Sequence, residues 1–487
     1  MPLYDRRGVS GYRQIRFLLW SAIAAYAAGF SALSILRHEA FNTGRFDLGN
    51  MVQAVWSTAH GHPLEVTNLA GDQVSRLGSH FDPILAAFAP LWWLWPSPSL
   101  LLTAQAAAVS LGALPVFWLA RKHLGSEPAG LGFALAYLLY PPLQWLTLNE
   151  FHPGALAVPL LLYAFWYLDE DRLGAFAVFA FVALLTREEI GLALAGFGLW
   201  YALARGRRWA GGTIAAGSLA AAAIVIGLIL PHFAAEQGLA FYSRYSEVGG
   251  SPGGILRTAF SNPGLVVETA LDRRGVSYLV QLVLPLAALS LLAPFALLPA
   301  LPQLAINLLS ATPTQTSIHF HYTAAAIPPL VVAAVLGGGR LTRRRKDLAG
   351  GVARIALAAS LLGNYLLGPI PIWRAFPGGE TLQSRDANVS THARVAASAL
   401  RLIPPGAVVS ASNSLGGHLS ERERILSFPF VQDATWIALD ERSPAYSDRL
   451  RAPLSLAIQV AWLQRDPSWR LVFEQDGVLV ARRTAVP

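Results

Sequence analysis

Cysteine is absent from the 487 residues, which excludes disulfides, thiolate catalysis and thiolate metal ligation. Charge is also scarce. Only 14% of residues are Asp, Glu, Lys or Arg, against about 25% in an ordinary soluble domain. No internal repeat and no low-complexity tract interrupts the chain. Although the net charge is +8, no basic stripe alternates with aromatics, so a nucleic-acid partner is excluded. What the chain has in abundance is apolar sequence. At 54% apolar residues, with repeated runs of about 17 to 23 residues, it reads as a polytopic α-helical membrane protein. The basic residues fall in short clusters between those runs, where they act as topology signals.

Arg6, Arg7, Arg13 and Arg16 precede a first apolar run over 17–36, too long for a signal-peptide core and read as a retained signal anchor. The positive-inside rule then puts the N-terminus in the cytoplasm and the loop over 37–98 outside. Within that loop, 81–95 is short, proline-rich and carries Trp92, Trp93 and Trp95. It is expected to lie in the interface or re-enter, because a full span there would put Arg121 and Lys122 on the wrong side. From Leu100 onward the runs alternate, with DEDR (169–172), RGRR (205–208) and RLTRRRK (340–346) as cytoplasmic turns. About 11 spans are expected across 1–370, leaving the C-terminus outside. Beyond 375 the composition becomes that of a small extracytoplasmic α/β domain. It has expected helices at 391–402 and 446–464, strands at 408–412 and 435–440, and a hairpin at 469–483 turning on Asp476-Gly477. It has neither a nucleotide-type glycine loop nor a nucleophile motif.

The chemistry sits in polar islands at span ends. The first loop carries Asp47, His60, His62, Asp72, His80 and Asp82; further on come Asn149-Glu150-Phe151-His152-Pro153, Thr186-Arg187-Glu188-Glu189 and Ser317-Ile318-His319-Phe320-His321-Tyr322. A charge at bilayer depth costs on the order of 3 kcal/mol, so each such group needs water, a partner or a function. All four islands are expected on the outer side. Asp47 reads either as a general base or metal-binding carboxylate, or as a helix cap at the interface. His80-Phe81-Asp82-Pro83 and Glu150-Phe151-His152-Pro153 are near mirror images, suited to a divalent cation or to proton handling, or else to satisfying loop backbone. Arg187 is either a phosphate clamp or the partner of Glu188 and Glu189. His319 and His321 are candidates for phosphate or metal contact. Arg244 and Tyr245 read as loop surface or as a substrate contact.

The stretches FDLGNMVQAVWSTAHGHP, HFDPILAAFAPLWWLWPSP, LYPPLQWLTLNEFHP and LLTREE closely resemble a bacterial family of predicted membrane proteins, domain of unknown function 2079, over most of the chain to about 340. More distantly the layout is similar to the C-type glycosyltransferases. Those enzymes move a sugar from a polyprenyl-phosphate carrier to an acceptor outside the cell. That resemblance implies an inverting transferase of the inner (plasma) membrane. Asp47 would match the first-loop carboxylate and act as base, with Asp82 as its rival. Arg187, His80, Glu150, His152, Glu188, His319 and His321 would bind substrate, and a divalent cation would be held, if at all, among Asp47, Asp82, Glu150 and His152. The chain departs from the superfamily in having Asp47-Leu48 in place of an acidic pair and His80-Phe81-Asp82-Pro83 in place of a Lys-Pro-Pro element. Two other readings are a flippase for a lipid-linked sugar, which predicts mid-bilayer ionisable groups and related halves, and a non-enzymatic envelope-assembly subunit.

Overall fold

The structure is a computed structural model, and it describes residues 6–234, 240–379, 387–444, 448 and 456–484. The chain divides into two compact units: Met1–Phe30, Ala104–Asn149 and Pro153–Leu382 form one, and Ser31–Thr103, Glu150–His152 and Gln383–Pro487 the other.

The first unit is helical. Among the described residues, four helices are long and apolar enough to cross a membrane: Tyr12–Glu39, Pro98–Leu124, Arg208–Ala234 and Lys346–Leu367. A fifth arises if Glu127–Leu138 and Pro141–Leu148, bent by 46°, form one broken span. Every other expected span also coincides with helix, but in shorter pieces such as Pro153–Asp169, Leu173–Leu184, Ile190–Ala204, Pro294–Leu308 and Ile327–Thr342. At about 1.5 Å per residue, a 12-residue helix covers roughly 18 Å of a hydrocarbon core about 30 Å thick. Length alone therefore supports four or five crossings. The 276–310 stretch is split as its prolines require, into Arg273–Val283, then short 3-10 turns through Leu284–Leu286, Leu289–Leu292 and Pro294–Ala300, then Leu301–Leu308.

The bend at 139–141 has a chemical cause. Pro141 and Pro142 lack N–H groups, so carbonyls one turn earlier lose their helical donors. Such groups must find partners inside the protein when water is absent. Gln144 donates to the Leu138 carbonyl at 2.8 Å, Asn364 donates to that of Leu139 at 2.8 Å, and the two amides join at 2.6 Å. Elsewhere small residues set the packing. A Cβ at Gly198 would sit 2.7 Å from the Gly211 carbonyl, and one at Gly211 would sit 2.7 Å from the Ala202 methyl. Helices Ile190–Ala204 and Arg208–Ile224 therefore touch backbone to backbone, as small-residue stripes allow in membranes.

The second unit combines the polar loop with the C-terminal residues. After a π-helical turn at Arg45–Gly49 and the helix Asn50–Ala59 come strands β1 (Glu65–Thr67) and β2 (Gln73–Ser75), paired antiparallel. Pro83–Phe88 and Ala89–Trp92 follow as 3-10 and α turns, ten residues in all and too short to cross. Trp93 and Leu94 are exposed to 69% and 83%, respectively, which suits an interfacial position, and the Trp93 indole donates to the Ala59 carbonyl at 3.0 Å.

Strands β3 (Val409–Ala411), β4 (Ile425–Ser427), β5 (Trp436–Asp440), β6 (Trp469–Gln475) and β7 (Val478–Arg483) form one sheet in the order β4-β3-β5-β7-β6. β3 runs parallel to β4 and β5; β7 runs antiparallel to β5 and β6. Alternate residues serve opposite faces. Val395, Ala396 and Ala399 of helix Thr391–Leu400 pack with Ala438, Val478 and Val480. Val460 and Leu463 of helix Leu456–Arg465 pack with Ile437, Leu439 and Leu479. The expected hairpin turn is present, with Asp476 at φ 53° and Gly477 at φ 78°. The helix expected over 446–464 is seen from Leu456; residues 445–447 and 449–455 lie outside the described residues.

Candidate functional site

Asp47 lies in the π-helical turn Arg45–Gly49, and that turn is held from several directions. The Arg45 guanidinium is buried and donates to the Ser427 hydroxyl (2.5 Å) and to the carbonyls of Thr67 (2.8 Å) and Ile425 (2.7 Å). Burial brings its pKa down to about 10. The Phe46 N–H donates to the Asn413 side chain at 3.2 Å. One turn on, the Gln53 amide donates to Thr67 Oγ1 (2.9 Å) and to the Glu423 carbonyl (2.8 Å). The base candidate is thus mounted on the C-terminal sheet through β1 and β4.

Glu150 closes the same turn from beneath. Its carboxylate accepts the Gly44 N–H on both oxygens (3.2 and 3.1 Å) and the Leu48 N–H (2.8 Å) on one of them. Burial, reinforced by the negative charge of Asp47, pushes its pKa up to about 8, against the pull of those two N–H bonds. Glu150 also stands at φ 55°, a left-handed conformation that costs a non-glycine residue about 1–3 kcal/mol and clusters at functional sites. His152 is buried, and its Nε2 lies 3.3 Å from Asp47 Oδ1, whose side chain is half exposed. The result is one accessible carboxylate, one buried imidazole touching it, and one buried carboxyl group that favours its neutral form near pH 7.

Asp82 has a different setting. Its Oδ2 accepts from Arg76 Nε (3.1 Å) and Nη2 (2.9 Å), and both side chains are buried. His80 is half-buried in the turn just before it. The other loop candidates close local turns: His60 stacks on Trp56, His62 pairs with Glu65 at 3.2 Å, and Asp72 meets Asn68.

In the helical unit, Arg187 Nε lies 3.5 Å from Glu189 and 3.9 Å from Glu188 in the turn before Ile190–Ala204. Its stem runs beside Gly154, whose added Cβ would be 3.5 Å away. The His321 backbone N–H donates to Asn149 Oδ1 (2.9 Å), and its Nδ1 lies 3.1 Å from the same oxygen. His319 contacts Ser317 and the edge of Trp145. Two of the polar islands therefore meet, Asn149 with His321. The Arg244 carbonyl accepts from the Ala311 N–H, and Tyr245 bonds Gln315. Among the described residues no three His, Asp or Glu side chains are grouped as metal ligands, so Asp47, Asp82, Glu150 and His152 do not form such a set.

Arg45, Asn413 and Ser427 escaped the sequence reading. Nothing local marks them, because their partners lie 22 to 382 residues away.

A family model described as "Predicted membrane protein (DUF2079)" matches residues 37–480, which includes the Asp47 turn, Glu150, His152 and the C-terminal sheet except the last three residues of β7. The chain belongs to this family. The resemblance seen in the sequence to about 340 thus extends through the C-terminal strands. No curated protein matches the chain. Among solved structures, the fold is similar to that of ArnT from Cupriavidus metallidurans bound to undecaprenyl phosphate, with 12% identity, a TM-score of 0.54, and 97% of this chain and 98% of that one covered. The same protein in its apo state matches at 13% identity and TM-score 0.54, over 98% and 99% of the two chains. At such identity the likeness is one of fold, and the fold is ArnT-like over nearly the full length of both chains.

Proposed function

We propose that this protein is an inverting glycosyltransferase of the inner (plasma) membrane, with its N-terminus in the cytoplasm and its C-terminus outside, that moves a sugar from a polyprenyl-phosphate carrier to an extracytoplasmic acceptor hydroxyl. The observation that carries the reading is the Asp47–His152 contact beside buried Glu150, in a chain of ArnT-like fold. The ArnT comparison structure was solved with undecaprenyl phosphate, a carrier of the proposed class.

Asp47 takes the proton of the acceptor hydroxyl as that oxygen forms its bond to the anomeric carbon. The bond from that carbon to the phosphate oxygen breaks, and its electron pair leaves with the polyprenyl phosphate. His152 orients Asp47, and neutral Glu150 fixes the turn through Gly44 and Leu48 without adding a second negative charge. Asp82, already neutralised by Arg76, is the weaker candidate for base. The leaving phosphate gathers negative charge, so cationic and hydrogen-bonding groups stabilise the transition state. Arg187, with His80, His319 and His321, is assigned to that phosphate, while Glu188 and Glu189 set the position of Arg187.

The test is to incubate the purified protein with a panel of radiolabelled polyprenyl-phosphate sugars and a membrane-extract acceptor, and to determine the product's anomeric configuration by NMR. Inverted configuration is expected; retention would contradict a single displacement at Asp47.

A further inference from the structure

A cavity of about 340 Å³ in the helical unit takes no part in the proposed transfer. Lys122, Arg205, Arg340, Arg343 and Lys346 line it, with Asp169 as the carboxylate in its wall. Part of that charge is already compensated. Lys122 Nζ lies 2.7 Å from Asp169 and 2.5 Å from Glu170, and Arg205 lies 3.5 Å from Asp171. The rest is not. Arg340 donates to the Leu292 carbonyl at 2.5 Å, and among the described residues neither Arg343 nor Lys346 meets a carboxylate. Three cations at the end of helix Ile327–Thr342 thus face one concavity without counter-charge.

Apart from His123, which lies 2.8 Å from Asp169, and Thr342, the rest of the wall is apolar, with Trp200, Phe295 and Leu336 among the lining residues, and Phe295 is 47% exposed. The chain contains only two lysines, Lys122 and Lys346, and both stand here. A positive-inside topology needs cations in a turn but does not need them gathered round a hollow. Compact ammonium donors beside guanidinium forks suit a phosphate, and basic pockets between transmembrane helices on the cytoplasmic side accept lipid headgroups.

We infer that this cavity is a phosphate-binding site that takes the headgroup phosphate of an anionic phospholipid or a free phosphate. To test this, the detergent-solubilised full-length protein is titrated with phosphatidylglycerol, phosphatidylcholine or inorganic phosphate, and bound species are counted by native mass spectrometry. The Arg343→Gln/Lys346→Gln variant should bind phosphatidylglycerol roughly tenfold or more weakly than wild type. The Arg208→Gln/Arg344→Gln variant, which removes equal charge outside the cavity, should bind as wild type. These four side chains are exposed, so neither variant should disturb folding, and unchanged elution on size exclusion checks this. Phosphatidylglycerol binding that excess inorganic phosphate leaves intact assigns the lipid headgroup; cavity-dependent binding of inorganic phosphate itself assigns the free anion. Equal binding of phosphatidylcholine, or equal loss in both variants, would overturn the site. Bound ligand should also slow acetylation of the Lys346 amine several-fold, and an unchanged rate would contradict the proposal.

Discussion

Glu150→Gln isolates the buried carboxyl group. In the wild type the pKa of Glu150 rises from an ordinary 4.5 to about 8 through burial and the charge of Asp47. The folded protein therefore holds a proton that the unfolded chain releases between those values. Stability from this group is full below pH 4.5 and is lost progressively as pH rises to 8. At about 1.36 kcal/mol per decade, the ceiling on that loss is roughly 5 kcal/mol. Glutamine keeps the shape and stays neutral. A glutamine carbonyl turned to the oxygen that accepts both the Gly44 and Leu48 N–H groups keeps those two bonds and gives up only the 3.2 Å contact of Gly44 with the other oxygen. Melting temperatures measured in detergent from pH 5 to pH 9 should fall with pH in the wild type more steeply than in the variant. The two curves should meet at the acid end. Parallel curves would refute the neutral, buried state of Glu150 and its proposed role in isolating the charge on Asp47.

Asp82→Asn leaves the Arg76 guanidinium buried without its counter-charge, and breaking such a pair costs about 3–5 kcal/mol; a marked drop in melting temperature and in purified yield is expected, whereas unchanged stability would reopen Asp82 as the base. Leu463→Ala removes a buried side chain from one face of the sheet and should cost about 2–5 kcal/mol, read as earlier proteolysis of the C-terminal residues on heating. Gly198→Leu forces a side chain against the Gly211 carbonyl and the Ala215 backbone; its expected outcome is loss of monodisperse protein on size exclusion, and normal elution would count against close helix packing there.

What the sequence revealed and what it concealed divide along physical lines. Asp47, Glu150 and His152 were visible because ionisable groups in an apolar chain must be accounted for, and the structure brings these three together. The apolar runs located the helix of each expected span, yet they did not give helix length, since composition at Leu173–Leu184 is as apolar as in a helix twice as long. Asp82 looked like Asp47 by composition; its burial against Arg76, six positions earlier, depends on a turn that no periodicity marks. β1, β2 and β4 are three residues each, below the length at which alternation can be read, and β4 is the strand that receives Arg45. The amide network of Gln144 and Asn364 joins residues 220 apart. The prolines announced the bend, but the groups that satisfy it lie on another helix.

In the proposed reaction Asp47 is the base of a sugar transfer. The most direct measurement compares wild type with Asp47→Asn in transfer from radiolabelled polyprenyl-phosphate sugars to a membrane-extract acceptor, alongside binding of the carrier lipid. Loss of transfer by two to four orders of magnitude, as removal of a general base produces, with carrier binding retained, is the predicted result. Wild-type turnover in the variant would contradict the assignment of Asp47. The absence of turnover by wild-type protein with any donor, alongside normal carrier binding, would contradict the transferase itself.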